Sequence, residues 1–345
     1  MRKPLVSILI PAYNAEDWIA DSLRSAIGQT WTEKEIIVVD DGSTDRTVEI
    51  AQRFASDTVR ILRQSNSGPA AARNRAFQAS HGAYIQWLDA DDLLASSKVA
   101  TQMQIIERGA GVRTLLSSAF GRFRYRHYRT HFVPTALWAD LSPTEWLLRK
   151  MGQNLYMQTG TWLVSRELTE AAGPWNTSLW EDDDGEYFAR TLLLSDGVKF
   201  VPEAKVYYRT SGTSSVSYIG RSDKKREAHW KSMQLQISYL RTLEDSDRVR
   251  SACVRYLQNS IILFLPDRPD LVAQAEKMAS ELGGQLVAPH LSWKYAGIGA
   301  VFGRAAAYRA QLVLSNFRRS AMRIADRTLF HLERVAGQPS RLRCH

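Results

Sequence analysis

The sequence predicts an α/β protein with a Rossmann-like, mixed but mainly parallel sheet that carries helices on both faces, followed by an all-helical C-terminal extension. Three observations predict this class. Short apolar, often β-branched runs alternate with helical patterns through the first hundred residues. Polar clusters follow these runs at their C-terminal ends. Beyond about residue 225, apolar positions recur almost wholly at helical spacing.

The elements of the first hundred residues follow in a regular order. Apolar runs predict four strands, at 6–10, 35–39, 59–62 and 83–88. Helical patterns separate them, at 15–28, 44–54 and 69–80. This β-α-β-α-β-α-β order predicts a mainly parallel sheet. In such sheets ligands bind beyond the carboxyl ends of the strands, where the polar clusters lie.

The rest of the chain divides into a mixed and a helical part. Between about 100 and 215, strands are predicted at 160–164 and 198–201 and a helix at 184–194. Later patterns predict helices at 230–243, 248–264, 271–282 and 303–335. We therefore expect an α/β domain at 1–220 and a helical, basic region at 221–345.

Composition limits the class of protein. The chain has 345 residues, 44% of them hydrophobic, which is enough for a sizeable core. Its two cysteines, Cys253 and Cys344, are far apart, which argues against a disulfide scaffold or a zinc site. The opening apolar stretch is too short for a signal peptide, and no window reaches the length of a membrane span. These features predict a cytoplasmic protein.

Positive charge is concentrated in the C-terminal third. Residues 1–220 carry 24 Lys/Arg against 25 Asp/Glu, whereas 221–345 carry 21 against 11. The excess predicts an anionic membrane surface or a nucleic acid as partner, or else a solvated arginine face. No helix-turn-helix or aromatic RNA platform supports a nucleic acid. A peripheral site at the inner face of the membrane is therefore the localisation considered beside a purely cytoplasmic one.

A helical wheel of the last segment separates basic from apolar side chains. Five arginines share a sector of about 80°: Arg309, Arg319, Arg323, Arg327 and Arg334. A different sector holds Val313, Leu314, Phe317, Ile324 and Val335. Such a helix can lie on an anionic membrane. The alternative is that its apolar face packs on the α/β domain and its arginines meet water.

Two carboxylates, Asp89 and Asp91, follow the fourth predicted strand directly. They would repel each other without a cation, and their oxygens are hard ligands suited to Mn²⁺ or Mg²⁺. A metal there could bridge the phosphates of a nucleotide and stabilise a leaving diphosphate. The alternative is an acidic turn that caps a helix beginning near Leu93, with Asp92 as a helix cap.

Four motifs in one order carry a resemblance to a known family. They are VSILIPAYNA at 6–15, VVDDGSTD at 38–45, NSGPAAARN at 66–74 and LDADD at 88–92. Together they resemble the family 2 glycosyltransferases of the GT-A fold, which invert the anomeric centre, over roughly residues 4–210. The absence of G-x-G-x-x-G after the first strand and of G-K-[ST] argues against dinucleotide-binding and P-loop alternatives.

The resemblance implies roles for the donor-binding residues. Pro11, Ala12 and Tyr13 would line the nucleobase pocket, and Asp41 would accept a hydrogen bond from the base. Arg73 would neutralise donor charge or position Asp89. By the same resemblance, Asp89 is the carboxylate near the ribose and the metal, and Asp91 is the direct metal ligand. Arg209 would face the diphosphate.

The general base falls in an acidic run, which the resemblance matches in two registers. The family places its base in an E-D-x-[DE] motif, and this chain has EDDDGEYFAR at 181–190. Matching Glu181 to the first position makes Asp182 the base. Matching by Glu186 and Arg190 puts Asp183 and Asp184 on E-D and makes Asp184 the base. The second register retains more of the motif and is preferred.

The implied activity is inverting, metal-dependent transfer of a sugar from a nucleotide-diphosphate donor, with a uridine nucleotide favoured. The acceptor would be a glycan or a lipid-linked molecule in cell-surface polysaccharide synthesis. Trp162, Trp175 and Trp180 would flank the acceptor or lie in the core. A sugar nucleotidyltransferase and a catalytically dead nucleotide-sugar-binding protein are the alternatives. The first lacks its expected glycine-rich, basic loop after strand one, and the retained carboxylates argue against the second.

Overall fold

The computed structural model describes residues 3–210, 222–289 and 293–335. Its strands are β1 (Val6–Ala12), β2 (Lys34–Asp40), β3 (Val59–Arg63), β4 (Tyr84–Trp87), β5 (Leu93–Leu94), β6 (Thr114–Phe123), β7 (His131–Phe132), β8 (Leu163–Ser165) and β9 (Gly197–Arg209). All four strands predicted in the first hundred residues are confirmed. The strand predicted at 160–164 is wrong in its first half, because Thr159–Thr161 form a 3-10 turn.

The helices of the first two hundred residues are α1 (Ile19–Ile27), α2 (Thr47–Gln52), α3 (Pro69–Gln78), α4 (Lys98–Glu107), α5 (Pro143–Gln153), α6 (Arg166–Ala172) and α7 (Asp183–Leu193). Those that follow are α8 (Asp223–Leu243), α9 (Asp247–Ser260), α10 (Pro269–Glu281) and α11 (Trp293–Val335). The predicted C-terminal helices are confirmed. Gly303, at φ 82°, interrupts α11 near its start.

The sheet has the strand order β3-β2-β1-β4-β8-β6-β9-β5, with β7 paired to β6. The pairs β3-β2, β2-β1 and β1-β4 are parallel, as the alternating order predicts. Beyond β4 the sheet becomes mixed, because β8 runs antiparallel to both β4 and β6. The mixed sheet confirms the predicted α/β class.

Strand register brings the predicted site residues to one edge. In β1 and β2, Ala12 is opposite Asp40, and β4 pairs with β1 through Leu9 and Trp87. The chain therefore leaves all three parallel strands on the same side of the sheet. The residues that follow them are 13–15, 41–46 and 88–92. This edge is where an α/β sheet binds its ligands.

The core explains why the central strands form where they do. Residues 8–10 of β1 and 36–39 of β2 are apolar and almost fully buried, as expected of strands covered on both faces. The same core extends to Trp230 and Ile237 of α8 and Leu257 of α9. The C-terminal helices thus share a core with the sheet. The predicted boundary at 220/221 remains a prediction, since it lies outside the described residues.

Over residues 3–210, 222–289 and 293–335, no helix combines the length and the apolar character needed to cross a bilayer.

Candidate active site

The proposed nucleobase pocket begins at the end of β1. Ala12 is buried, Pro11 is half-buried, and Tyr13 is 49% exposed at the sheet edge. The next residue, Asn14, adopts a left-handed conformation with φ 45°. Its side-chain oxygen accepts a hydrogen bond from the Thr44 backbone at 2.9 Å. These bonds join the loop after β1 to the loop after β2, and leave the Tyr13 ring accessible to a ligand.

Asp41 organises the loop that leads into α3. Its Oδ1 accepts hydrogen bonds from Gln64 Nε2 at 2.7 Å and from the Ser67 backbone at 2.9 Å. Its Oδ2 accepts one from the Gly68 backbone at 2.8 Å. Gly68 has φ 91°, and a Cβ there would lie 3.5 Å from the Trp180 ring. Asp41 therefore holds a tight loop closed; its role toward a nucleobase stays a prediction.

The run at 89–92 ends a buried strand. The helix expected near Leu93 is wrong, because β5 follows and α4 begins only at Lys98. Asp92 is fully buried and accepts a hydrogen bond from the Arg209 backbone at 2.7 Å. It is therefore no helix cap but ties the strand end to β9. Burial, with Asp91 and Asp89 nearby, raises the pKa of Asp92 well above its ordinary value.

Arg209 supports the same strand end from beneath. Its side chain is 3% exposed, and its Nε donates to the Asp91 carbonyl at 2.7 Å. The guanidinium lies 4.3 Å from the Trp18 ring centroid and 4.5 Å from that of Phe123. Burial lowers its pKa. In this structure Arg209 positions the Asp91 backbone; its contact with a diphosphate stays a prediction.

Arg73 connects the two acidic runs. From α3, its Nη2 lies 2.9 Å from Asp89 and its Nη1 lies 2.6 Å from Asp183. The guanidinium is buried, and it lies 4.4 Å from the Trp175 ring centroid. Burial alone would lower the pKa of Arg73, but the two carboxylates raise it above its ordinary value. This one cation therefore holds 89–92 and 181–184 side by side.

The three aspartates of the acidic run at 181–184 lie in three different environments. Asp182 has φ 54°, and its Oδ2 accepts hydrogen bonds from Ser232 Oγ at 2.7 Å and Gln236 Nε2 at 2.6 Å on α8. A Cβ at Gly185 would lie 2.1 Å from Asp182 Oδ1, so a larger residue there would displace the Asp182 carboxylate. Asp182 is thus engaged by α8, and Asp183 is engaged by Arg73.

Among the three aspartates of this run, Asp184 has the weakest stabilisation of its charge. Its Oδ2 accepts from Thr159 Oγ1 at 3.3 Å, and its Oδ1 accepts from the Gly185 backbone at 2.9 Å. Burial, followed by the charges of Asp183 and Asp182, raises its pKa to about 7. A half-buried carboxylate with this pKa can take a proton near neutral pH. Both registers of the motif remain untested, but this geometry favours the one that places the base at Asp184.

Glu181 is the first residue of this run and was not among the predicted site residues. It is 9% exposed, and its Oε2 has no hydrogen-bond partner among the described residues. Burial and the charge of Asp182 raise its pKa to about 8. The acidic run therefore holds two carboxyl groups that titrate near neutral pH.

Sequence reasoning missed Gln158 and Thr159, which lie on the 3-10 turn before β8. Gln158 Nε2 donates to Asp89 Oδ2 at 3.2 Å and also to Asp92. Thr159 is 2% exposed and donates to Asp184. The turn thus contacts both acidic runs at once. A Gln-Thr-Gly-Thr segment carries no motif, and only the tertiary structure reveals its place.

The predicted tryptophans divide between core and site. Trp162 and Trp175 are buried, and Trp175 stacks on Tyr187 with 4.0 Å between centroids. Trp180 is half-buried beside Gly68, and Lys224 Nζ lies 3.4 Å from its ring centroid. The core role left open for the first two is therefore the one observed. Trp180 alone of the three lies beside a loop of the site.

Asp89 and Asp91 are the candidate ligands for a divalent cation. Among the described residues, no three His, Cys, Asp or Glu side chains are grouped to hold a metal alone. Mg²⁺ in phosphate-binding sites commonly needs only one or two carboxylates, with substrate oxygens completing the shell. Asp89 is 27% exposed in its side chain, and Asp91 is half-buried at the same strand end. This donor set fits a cation shared with a diphosphate.

Comparison with solved structures shows the fold. TarS of S. aureus, residues 1–349 in complex with UDP-GlcNAc, superposes with a TM-score of 0.66 at 17% identity, covering 91% of this chain and 92% of that one. The same fragment in complex with UDP gives 0.61 at 19% identity over 80% of each chain. These similarities confirm the predicted GT-A fold.

Sequence comparison supports the resemblance carried by the motifs. The model of glycosyl transferase family 2 matches residues 7–172 of this chain. EpsJ of Bacillus subtilis, an uncharacterized glycosyltransferase, is 30% identical over 61% of this chain and 62% of its own length. The putative teichuronic acid biosynthesis glycosyltransferase TuaG of the same organism is 40% identical over 30% of this chain and 42% of its own length.

A glycosyltransferase of Haemophilus influenzae is 37% identical over 35% of this chain and 49% of its own length. The matches to these relatives therefore span about two fifths to three fifths of each relative. The family predicted from the four motifs is confirmed.

Proposed function

We propose that this chain is an inverting, metal-dependent glycosyltransferase that uses a nucleotide-diphosphate-sugar donor. One observation carries the proposal: Arg73 joins Asp89 to Asp183 through two ion pairs. A donor-side carboxylate and the acidic run that contains the candidate base are therefore held together by a single guanidinium. An inverting transfer needs a base near the donor site, because the base activates the acceptor while the diphosphate leaves from the other face of the sugar.

The donor is proposed to be a uridine nucleotide sugar. Tyr13 offers an exposed ring at the end of β1, and Asp41 lies at the end of the neighbouring strand. The complexes of TarS with UDP and UDP-GlcNAc support a donor of this class on the same fold. The ring would stack on the base, and the carboxylate would accept its N–H.

The diphosphate would lie at the end of β4. Asp91 and Asp89 would hold Mn²⁺ or Mg²⁺ there. Such a cation, when bound, stabilises negative charge on the leaving diphosphate. Arg73 orients Asp89 through an ion pair, and Arg209 fixes the backbone of Asp91. Asp92 contributes by anchoring this loop to β9 rather than by binding the donor.

Asp184 is proposed as the general base. Its raised pKa, about 7, makes it a stronger base than an ordinary aspartate. It would remove the proton of the acceptor hydroxyl as that oxygen attacks the anomeric carbon. Asp183 would hold Arg73, and Asp182 would hold the start of α7 against α8.

The acceptor is proposed to be a glycan or a lipid-linked molecule in cell-surface polysaccharide synthesis. The similarity to TuaG, named for teichuronic acid biosynthesis, supports this class. The positive charge of residues 221–345 supports an anionic membrane surface as a further partner, at the cytoplasmic face. A membrane-bound protein at that face would meet lipid-linked acceptors directly.

A hydrolysis screen of nucleotide sugars, with and without Mn²⁺, tests the proposal. We expect turnover that requires the metal and favours a UDP-sugar. Asp91→Ala should lower kcat by about 10²–10³-fold, as expected when one electrostatic stabiliser of the leaving group is lost. Glu203→Ala, an exposed substitution on β9, is the matched control and should retain activity. Metal-independent turnover, or full activity of Asp91→Ala, would contradict the mechanism.

A further inference from the structure

Large apolar side chains are exposed on α11 to an unusual extent. Among the described residues, eight of fifteen exposed large hydrophobic side chains lie on this one helix. They are 44–74% exposed: Val301, Phe302, Leu314, Phe317, Met322, Ile324, Leu329 and Leu332. A contiguous apolar patch of this kind usually marks a surface that is covered by a partner.

The exposed side chains lie on one side of the helix. At 3.6 residues per turn, the six from Leu314 to Leu332 fall within a sector of about 160°. Residues that hold the helix to the rest of the chain lie outside this sector. Phe330 packs against Tyr125, with 6.0 Å between ring centroids. We call the six exposed positions (314, 317, 322, 324, 329 and 332) the apolar face.

Both acidic residues of α11 are used to attach it. Asp326 accepts from Arg126 Nε at 2.7 Å and from the Tyr125 backbone at 3.0 Å. Glu333 lies 3.0 Å from Arg126 Nη1 and also accepts from Tyr128. The helix sequence contains eight Lys/Arg and only these two acids. Its attachment therefore consumes its negative charge and leaves it strongly basic.

This charge decides which occupant suits the apolar face. A second copy of the helix would bring eight further cations against the first eight, and like charges at close range oppose pairing. An anionic lipid surface attracts the same cations and accepts apolar side chains at its headgroup boundary. The exposed Arg327 lies about 60° outside the sector of the apolar face, and its long side chain can extend toward lipid phosphates.

We propose that the apolar face of α11 inserts into the interface of an anionic membrane, with the helix lying parallel to the surface. The loop that anchors α11 also borders the candidate site. The Arg124 carbonyl accepts from Arg209 Nη1 at 2.9 Å, and Tyr125 packs on Trp18. The helix thus sets one rim of the site at the lipid surface. That this rim receives a lipid-linked acceptor rests on the proposed function; the membrane contact does not.

Co-sedimentation of the full chain with vesicles tests the contact. We expect binding to vesicles of phosphatidylcholine mixed with phosphatidylglycerol, weaker binding at high salt, and little binding to phosphatidylcholine alone. Phe317→Ser/Ile324→Ser should weaken binding at least about tenfold, because two large apolar side chains leave the interface. Arg327→Glu should weaken binding to the mixed vesicles and leave binding to phosphatidylcholine alone unchanged.

Val112→Ser is the matched control. This valine is 48% exposed but precedes β6, at the opposite end of that strand from the loop that anchors α11. It should bind like the unmodified chain. Circular dichroism would check the fold of each variant. Unchanged vesicle binding by Phe317→Ser/Ile324→Ser would overturn the proposal. So would a chain that binds no vesicles but forms a dimer in sedimentation velocity, if the same substitutions dissociate that dimer.

Hydrolysis of a soluble nucleotide sugar, measured without vesicles, separates this inference from the proposed function. The α11 variants should retain that hydrolysis. Vesicle binding without any nucleotide-sugar turnover would refute the enzyme and leave the membrane contact standing. Nucleotide-sugar turnover without vesicle binding would refute the membrane contact and leave the proposed enzyme standing.

Discussion

The acidic runs at 89–92 and 181–184 accommodate the same crowding of negative charge in different ways. At the end of β4, the chain surrounds the carboxylates with donors: Arg73 on Asp89, and the Arg209 backbone on Asp92. At the start of α7, Asp182 and Asp183 receive such donors, whereas among the described residues Asp184 receives hydrogen bonds only from Thr159 and the adjacent Gly185 amide. Crowded carboxylates thus acquire different chemistry from the donors that each one receives.

This difference suggests a division of labour. A carboxylate paired with Arg73 at a partly open strand end suits a cation. A carboxylate whose ionisation is opposed by burial and by like charges suits proton transfer near neutral pH. Arg73 contacts Asp89 of one run and Asp183 of the other, and so holds the two runs next to each other. The variants below test whether four aspartates differ in function as much as their surroundings do: Asp89, Asp182, Asp183 and Asp184.

Replacing Asp184 should have the largest effect on activity. In Asp184→Asn the side chain keeps its shape but can no longer accept a proton. We expect kcat for sugar transfer to fall about 10²–10⁴-fold, the usual contribution of a general base. Steady-state kinetics with the UDP-sugar identified by the screen would measure this. Retention of activity in this variant, with loss in Asp182→Asn, would assign the base to the other register.

The pH profile gives a second measure of the same residue. A base with a pKa of about 7 is protonated and inactive in acid. kcat/KM should therefore fall as pH drops below about 7, by tenfold per unit. An acid limb whose midpoint lies far from pH 7 would contradict Asp184 as the base.

Removing Arg73 should damage both runs together. Arg73→Met leaves Asp89 and Asp183 facing each other without their shared cation. Loss of one partner from a buried ion pair typically costs about 3–5 kcal/mol in the free energy of unfolding. Urea denaturation would measure the loss. Arg24→Met, in an exposed i,i+3 pair with Asp21, is the control and should cost less than about 1 kcal/mol.

Much of the fold could be predicted from local pattern. The runs of β1 and β2 are apolar on both faces, so their burial, their strand character and their parallel pairing follow from the residues alone. The bounds of β8 could not be predicted this way. β8 has three residues and begins after a 3-10 turn, and Gln158, before that turn, donates to Asp89, which lies 69 residues away.

The site was predictable in its motifs and not in its contacts. The four motifs identified the strand ends and the acidic run at 89–92, and the segment at 181–190 identified the second run, because short-range spacing carries that information. Neither the ion pair of Arg73 with Asp183 nor the engagement of Asp182 by α8 could be read from the chain, since 110 and 50 residues separate the partners. Asp92 illustrates the limit: its local context predicted a helix cap, whereas its partner lies 117 residues away.

Replacing Asp182 should affect stability more than chemistry. Asp182→Asn keeps an acceptor oxygen and tolerates the left-handed backbone, so the start of α7 should survive. We expect the free energy of unfolding to fall by about 1 kcal/mol as a charged acceptor becomes neutral. Transfer kcat should stay within a few-fold of the unmodified value. Thermal unfolding and steady-state kinetics on one preparation would compare the two effects.

The smallest predicted change concerns Thr159, the side-chain donor to Asp184. Thr159→Val keeps the shape of the side chain and removes the hydrogen bond that favours the ionised carboxylate. The pKa of Asp184 should rise, and the acid limb of kcat/KM should move to higher pH by roughly half a unit. Thr159→Ser retains the hydroxyl and should leave the profile in place. A shift of both variants, or of neither, would mean that Thr159 supports the turn without tuning the base, and that the weak stabilisation of Asp184 has another origin.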